Sequence, residues 1–192
     1  MVRWVAVAIG LVVATVAQGE SVTTKVARGQ LFSPKGSSVE VFPTDFLGEA
    51  EAKAVKGYAA QFEYYAAFAV SPGDPADSGS AVGLANFHSE AAARTAALGA
   101  CNARRQTGRP CIVVAVTRPK GWKPRNIQLS AEATAAFRKE YRKARAPKAM
   151  AISPSSGAWA IGRGDGSRAL ATCNDRAAKR GRQDCQIAIA DR

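Results

Sequence analysis

After residue 65 the apolar and polar positions of the chain follow one pattern twice. The first copy runs Ala67-Phe68-Ala69-Val70-Ser71-Pro72, then Gly79 to Gly83, then Ala97-Leu98-Gly99-Ala100-Cys101-Asn102, then Cys111 to Ala115. The second runs Ala149-Met150-Ala151-Ile152-Ser153-Pro154, then Gly157 to Gly162, then Ala169-Leu170-Ala171-Thr172-Cys173-Asn174, then Cys185 to Ala190. The apolar, β-rich runs Cys111 to Val116 and Ile187 to Ala190 read as strands bounded by turn residues. Ser71 to Gly79 is a long turn, and Ser153 to Gly157 is short enough for a tight hairpin. Ser89 and Ser167 stand where helix N-caps are expected. Each copy is therefore predicted as strand–strand–helix–strand. The two copies are expected to share one mostly antiparallel sheet with helices on one side, an α+β class. From cap serine to cysteine the copies differ, 12 residues against 6, so the second helix starts later or is shorter before its cysteine.

The flanking segments are less regular. Residues 20–43 mix Ser, Thr, Gly, Val and Pro and predict irregular chain or one edge strand. A helix is expected after Thr44 or Asp45, through Glu49 to Lys56, with Gly57 as its weak point. Gln61 to Val70 reads as a strand. Between the copies Ser130 opens a helix whose Ala133, Phe137, Tyr141 and Ala144 share one face at helical spacing. The expected organisation is a signal segment at 1–19, an extension with one helix at 20–64, repeat one at 65–117, a basic linker and helix at 118–148, and repeat two at 149–192.

The recurring pattern, Ala-x-Ala-x-Ser-Pro with Ala-Leu-x-x-Cys and a second cysteine before an apolar strand, resembles a family of exported bacterial repeat domains without assigned catalytic residues. Leu129 to Arg138 is similar to small alphaproteobacterial envelope proteins, some of which carry the label aminolevulinate synthase. The resemblance implies a fold and no cofactor. The label does not suit this chain, which is far shorter than such pyridoxal-phosphate enzymes, reads as exported, and shows no cofactor-lysine motif.

Export is read from the first residues. Arg3 precedes an apolar run of 13 residues, Trp4 to Val16, interrupted by Gly10 and Thr15. That is short of the roughly 20 residues a spanning helix needs, and it suits a cleavable signal. Cleavage is expected near Gly19, with Ala17 as the competing site; an uncleaved or buried N-terminal helix is the alternative. Periplasmic or secreted residence follows. With 47% apolar but only 7% aromatic residues, the core must be built largely from Ala, Val, Ile and Leu, which bury little area each. Four cysteines in an exported chain favour disulfides. The duplication favours Cys101–Cys111 with Cys173–Cys185; bonds between the copies are the alternative.

Charge changes the picture once more. The chain carries 27 basic and 15 acidic side chains. Residues 20–117 balance, whereas residues 118–148 hold ten basic and two acidic. Arg118, Lys120, Lys123 and Arg125 lie on a Pro/Gly-rich loop. Arg138, Lys139, Arg142, Lys143, Arg145 and Lys148 follow on the predicted helix and beyond it. These residues, Arg118 to Arg145, are the candidate anion-binding set, with lipid headgroups or acidic envelope polymers as partners rather than nucleic acid.

Other chemistry is sparse. His88 is the only histidine; beside Ser89 it lacks a recognisable third catalytic member, and packing or capping accounts for it. Gly162-Arg163-Gly164-Asp165-Gly166-Ser167 precedes a helix as phosphate loops do, but has Ser167 where a dinucleotide loop has Gly or Ala. Asp74 and Asp77 are too few oxygens for calcium. No catalytic, cofactor or metal set emerges. The leading expectation is a non-catalytic binding module for an anionic envelope component. The alternatives are a small hydrolase of glycan or peptide, and an inhibitor or structural partner using Trp122 and the basic loop.

Overall fold

A computed structural model describes residues 21–75, 78–106 and 109–192. The signal segment expected at 1–19 lies outside the described residues. The order of elements is α1 (Thr24–Gln30), β1 (Ser37–Val41), α2 (Glu49–Ala59), β2 (Ala66–Val70), β3 (Val82–Leu84), α3 (Glu90–Asn102), β4 (Ile112–Pro119), α4 (Ala131–Lys139), a 3-10 turn (Tyr141–Lys143), β5 (Lys148–Ile152), β6 (Trp159–Arg163), α5 (Ser167–Ala178) and β7 (Gln186–Asp191). The class is α+β, and the strands of both sheets pair antiparallel. No helix among the described residues is long and apolar enough to cross a membrane.

The strands divide between two sheets instead of sharing one. The first has the order β1-β4-β2-β3 and the second β6-β5-β7. In each unit the entering strand is central, between the hairpin partner and the last strand. The register slips at matching places, between Phe68 and Ala69 against β4 and between Met150 and Ala151 against β7.

Helices cover both faces of each sheet, not one. The reason is that the central strands are apolar on both faces, so each face needs a cover. In β2, Ala67 and Ala69 turn towards the α3 side, while Ala66 and Phe68 join Ala59 of α2 on the other. In β5, Ala149 and Ala151 face α5, while Met150 and Ile152 join Ala27 of α1, Leu31 just after it and Phe137 of α4. Small residues set the helix–sheet spacing. Ala93, Ala97 and Cys101 line the inner face of α3, and Ala169, Cys173 and Ala177 that of α5, all fully buried.

The disulfides are Cys101–Cys111 and Cys173–Cys185, with Cα–Cα distances of 6.1 and 6.0 Å. Each ties a helix to the strand that follows. The asparagine after the first cysteine completes the link: Asn102 Oδ1 accepts from the Cys111 N–H at 3.0 Å, and Asn174 Oδ1 from the Cys185 N–H at 3.2 Å. Helix α3 ends just beyond its cysteine, whereas α5 starts late and runs on to Ala178.

The extension at 20–64 holds the expected helix and edge strand, α2 and β1, and a second helix, α1, that was not expected. Thr23 caps α1, which sits on the second sheet because Val22 pairs with Ile189 alongside β7. Helix α2 begins at Gly48 without a side-chain cap and passes through Gly57; Thr44 Oγ1 instead accepts from Leu47 N–H in the turn before it. The strand expected from Gln61 begins only at Ala66. Ser89 and Ser130 cap α3 and α4 as expected, but Ser167 is the first residue of α5, behind Gly166 in left-handed backbone.

Candidate functional site

The basic stretch between the units separates into cations that hold the fold together and cations that face solvent. Arg118 forks onto Glu90, reaches Glu40, and lies 4.6 Å over the Trp122 ring. Burial alone would raise Glu90, but hydrogen bonds from Arg118 and Arg94 outweigh it and hold the carboxyl below its usual range. Arg125 donates to Gln30 O and sits 3.8 Å over Phe32, and Arg138 donates to Phe32 O at 3.0 Å. Arg125 and Arg138 thus bind α1 and the loop after it to the linker, whereas Arg118, on β4 and not on a loop, joins that strand to β1 and α3.

Lys120, Lys123, Lys139, Arg142, Lys143 and Arg145 are exposed, without an ion pair or side-chain hydrogen bond among the described residues. Four of them cluster at the end of α4. The helix stops at Lys139, so the run 138–145 is not one continuous helix, and Tyr141 and Ala144, expected on its inner face, lie in and after a separate 3-10 turn. A buried frame carries this turn. Tyr141 stacks on Phe137 and donates its hydroxyl to Lys148 O at 3.3 Å. The Lys148 ammonium is buried and donates to the carbonyls of Tyr141 and Ala144, both at 2.9 Å. A cation at these carbonyls satisfies the groups a helix end leaves open. Arg142 and Lys143 are thereby held outward on a firm base.

His88 is not available for catalysis. Only 3% exposed, it accepts the Ser130 N–H on Nδ1 at 3.1 Å, and its Nε2 lies 3.1 Å from Ala158 O. Because a backbone N–H only donates, Nδ1 is bare and Nε2 carries the proton. Burial pushes its pKa down to about 4, so the ring is neutral. It fastens the first unit to the linker helix and to the second unit.

The glycine loop before α5 is structural as well. Asp165 Oδ1 takes the Ser167 N–H at 2.9 Å, where a phosphate would need the helix terminus free. A Cβ at Gly166 would sit 3.0 Å from Ile187 Cδ1 and 3.2 Å from Ala149 Cβ, so packing explains that glycine. Asp74 accepts from the Gln106 N–H at 3.0 Å, Asp77 lies outside the described residues, and no group of potential metal ligands gathers among the described residues.

One feature was missed in the sequence. A groove of about 790 Å³ opens between the units. One wall is the outer face of α3 with Leu84 and Phe87; the other is the Pro154–Ser156 turn with Arg180 and Arg182. The turn is firmly built: Ser153 Oγ donates to Asp184 and accepts from Ser156 Oγ at 2.6 Å, while Arg180 donates to Ser156 O. Burial alone would raise Asp184, but hydrogen bonds from Ser153 and Ser155 hold it below the usual carboxylate range. No carboxylate lines the groove among the described residues. The one advance signal was Gly99, a glycine inside a helix. No known family, curated protein or solved structure matches this chain.

Proposed function

We propose that this protein is an exported, disulfide-braced, non-catalytic module that binds an anionic envelope surface. The observation that carries the reading is the turn of Lys139, Arg142, Lys143 and Arg145, exposed and unneutralised on a buried Tyr141–Lys148 frame. A flexible basic tail would lose more entropy on binding than cations set on such a frame. The two disulfides fit residence outside the reducing cytosol. Against the hydrolase alternative, both nitrogens of His88 and the Ser153 hydroxyl are engaged in internal hydrogen bonds, and among the described residues no carboxylate pair lines the groove.

The test is co-sedimentation with vesicles containing anionic phospholipid, across a salt series. Arg142→Glu, Lys143→Glu and Arg145→Glu combined should abolish binding, and wild-type binding should fall steeply with salt. Salt-independent binding, the same for both proteins, removes the reading.

A further inference from the structure

The groove between the units supports a second site, independent of the basic turn. Its floor on α3 is made by Ala92, Thr95, Ala96, Gly99 and Ala100, all small, and Leu84 and Phe87 continue the apolar lining. Its volume of about 790 Å³ falls within the range of small-molecule sites. Among the described residues, the charged side chains lining it are Arg180 and Arg182. Arg180 is fixed by its bond to Ser156 O, which leaves further N–H donors on the same guanidinium.

Gly99 adds a separate argument. A Cβ there would meet nothing within 4 Å, so packing does not require glycine. Inside a helix, glycine is less favourable than alanine. The residue weakens α3 and deepens the groove.

We propose that this groove binds a single long-chain fatty acid, its chain along α3 and its carboxylate on Arg180 and Arg182. The guanidinium fork matches a carboxylate. A peptide suits the site less well, because it would bring a backbone donor and acceptor per residue to a helix floor whose one hydroxyl is Thr95.

The experiment titrates the protein with oleate, read by displacement of a fluorescent fatty acid and by calorimetry. Wild type should bind in the micromolar range. Gly99→Leu fills open space on the helix, so it should keep the melting temperature and weaken oleate at least tenfold. Arg182→Glu should weaken oleate at least fivefold and leave oleyl alcohol unchanged. Arg142→Glu should not affect oleate, which separates this site from the vesicle-binding turn. Three results overturn the proposal: no displacement by oleate from wild type, wild-type affinity in Gly99→Leu, or stronger displacement by an acidic peptide than by oleate.

Discussion

The backbone N–H of Ser130 donates to Nδ1 of His88 at 3.1 Å, so the residue that caps α4 also sets the protonation of the chain's single histidine. That ring reaches Ala158 O on its other side, and the three segments it touches come from both units and the linker. Protonating it would place a second proton against the Ser130 N–H, and the bond would be lost.

Stability should therefore fall with acid in a defined window. The pKa of His88 is about 6.5 unfolded and about 4 folded, so the unfolded chain binds the extra proton between those values. The full contribution is present above pH 6.5 and is lost as pH falls towards 4, by about 3 kcal/mol. Glu90, Asp184 and Asp191 have carboxyls held below their usual values and lose stability only at lower pH. Urea unfolding of wild type and His88→Gln at pH 7 and pH 4.5 checks this. The variant should be weaker at pH 7 but nearly flat across the window; an unchanged slope would refute the assignment.

The backbones of the two units come close where Gly157 faces Asn86. Gly157 has φ +74°, and a Cβ built on it would overlap the Asn86 carbonyl oxygen. Asn86 is itself at φ 68° and donates to Glu132 at 2.7 Å, so it has little freedom to withdraw. Gly157→Ala should cost about 2–4 kcal/mol. Thermal unfolding measures it, and a loss under about 1 kcal/mol would mean that the contact is loose.

The two halves of the basic set should respond differently to truncation. Arg118→Ala removes the fork on Glu90 and the cover on Trp122, and should destabilise by about 2 kcal/mol. Arg142→Ala should change stability by no more than about 0.5 kcal/mol while weakening vesicle binding. Paired denaturation and sedimentation on the same two variants would expose an error if Arg142 proved the more costly for folding.

Each sulfur bridge closes a short segment within its own unit. Replacing Cys101 and Cys111 together by serine should cost about 3 kcal/mol by the chain-entropy estimate. Asn102→Ala removes only the hydrogen bond to Cys111 N–H and should cost about 1 kcal/mol. Non-reducing peptide mapping should recover the pairs 101–111 and 173–185.

Much of this architecture was legible where local chemistry decides it. The strand runs and the caps at Ser89 and Ser130 depend on neighbours within a few residues, and the pairing of the cysteines follows from the recurrence of one pattern in both copies. Helix α1 was not legible: it has seven residues in a Ser/Thr/Gly-rich stretch and is held in place by Thr24 bonding Asp191. Nor was the division into two sheets, since alternation along one strand does not name the sheet it joins. Formal charge could not tell Arg118, consumed by Glu90, from Arg142, left to solvent. The groove escaped for a related reason: its walls come from 84–100 and 154–182, and packing alone brings them together.

The seat of Val22 beside β7 has a temporal consequence. Its N–H donates to Ala188 O at 3.0 Å and its carbonyl accepts from Ala190 N–H at 2.9 Å, so an early residue depends on a very late one. A polypeptide emerging in order must carry Val22 and α1 undocked until residue 190 has appeared. The contact of Val22 with β7 therefore closes only once the last strand has been made.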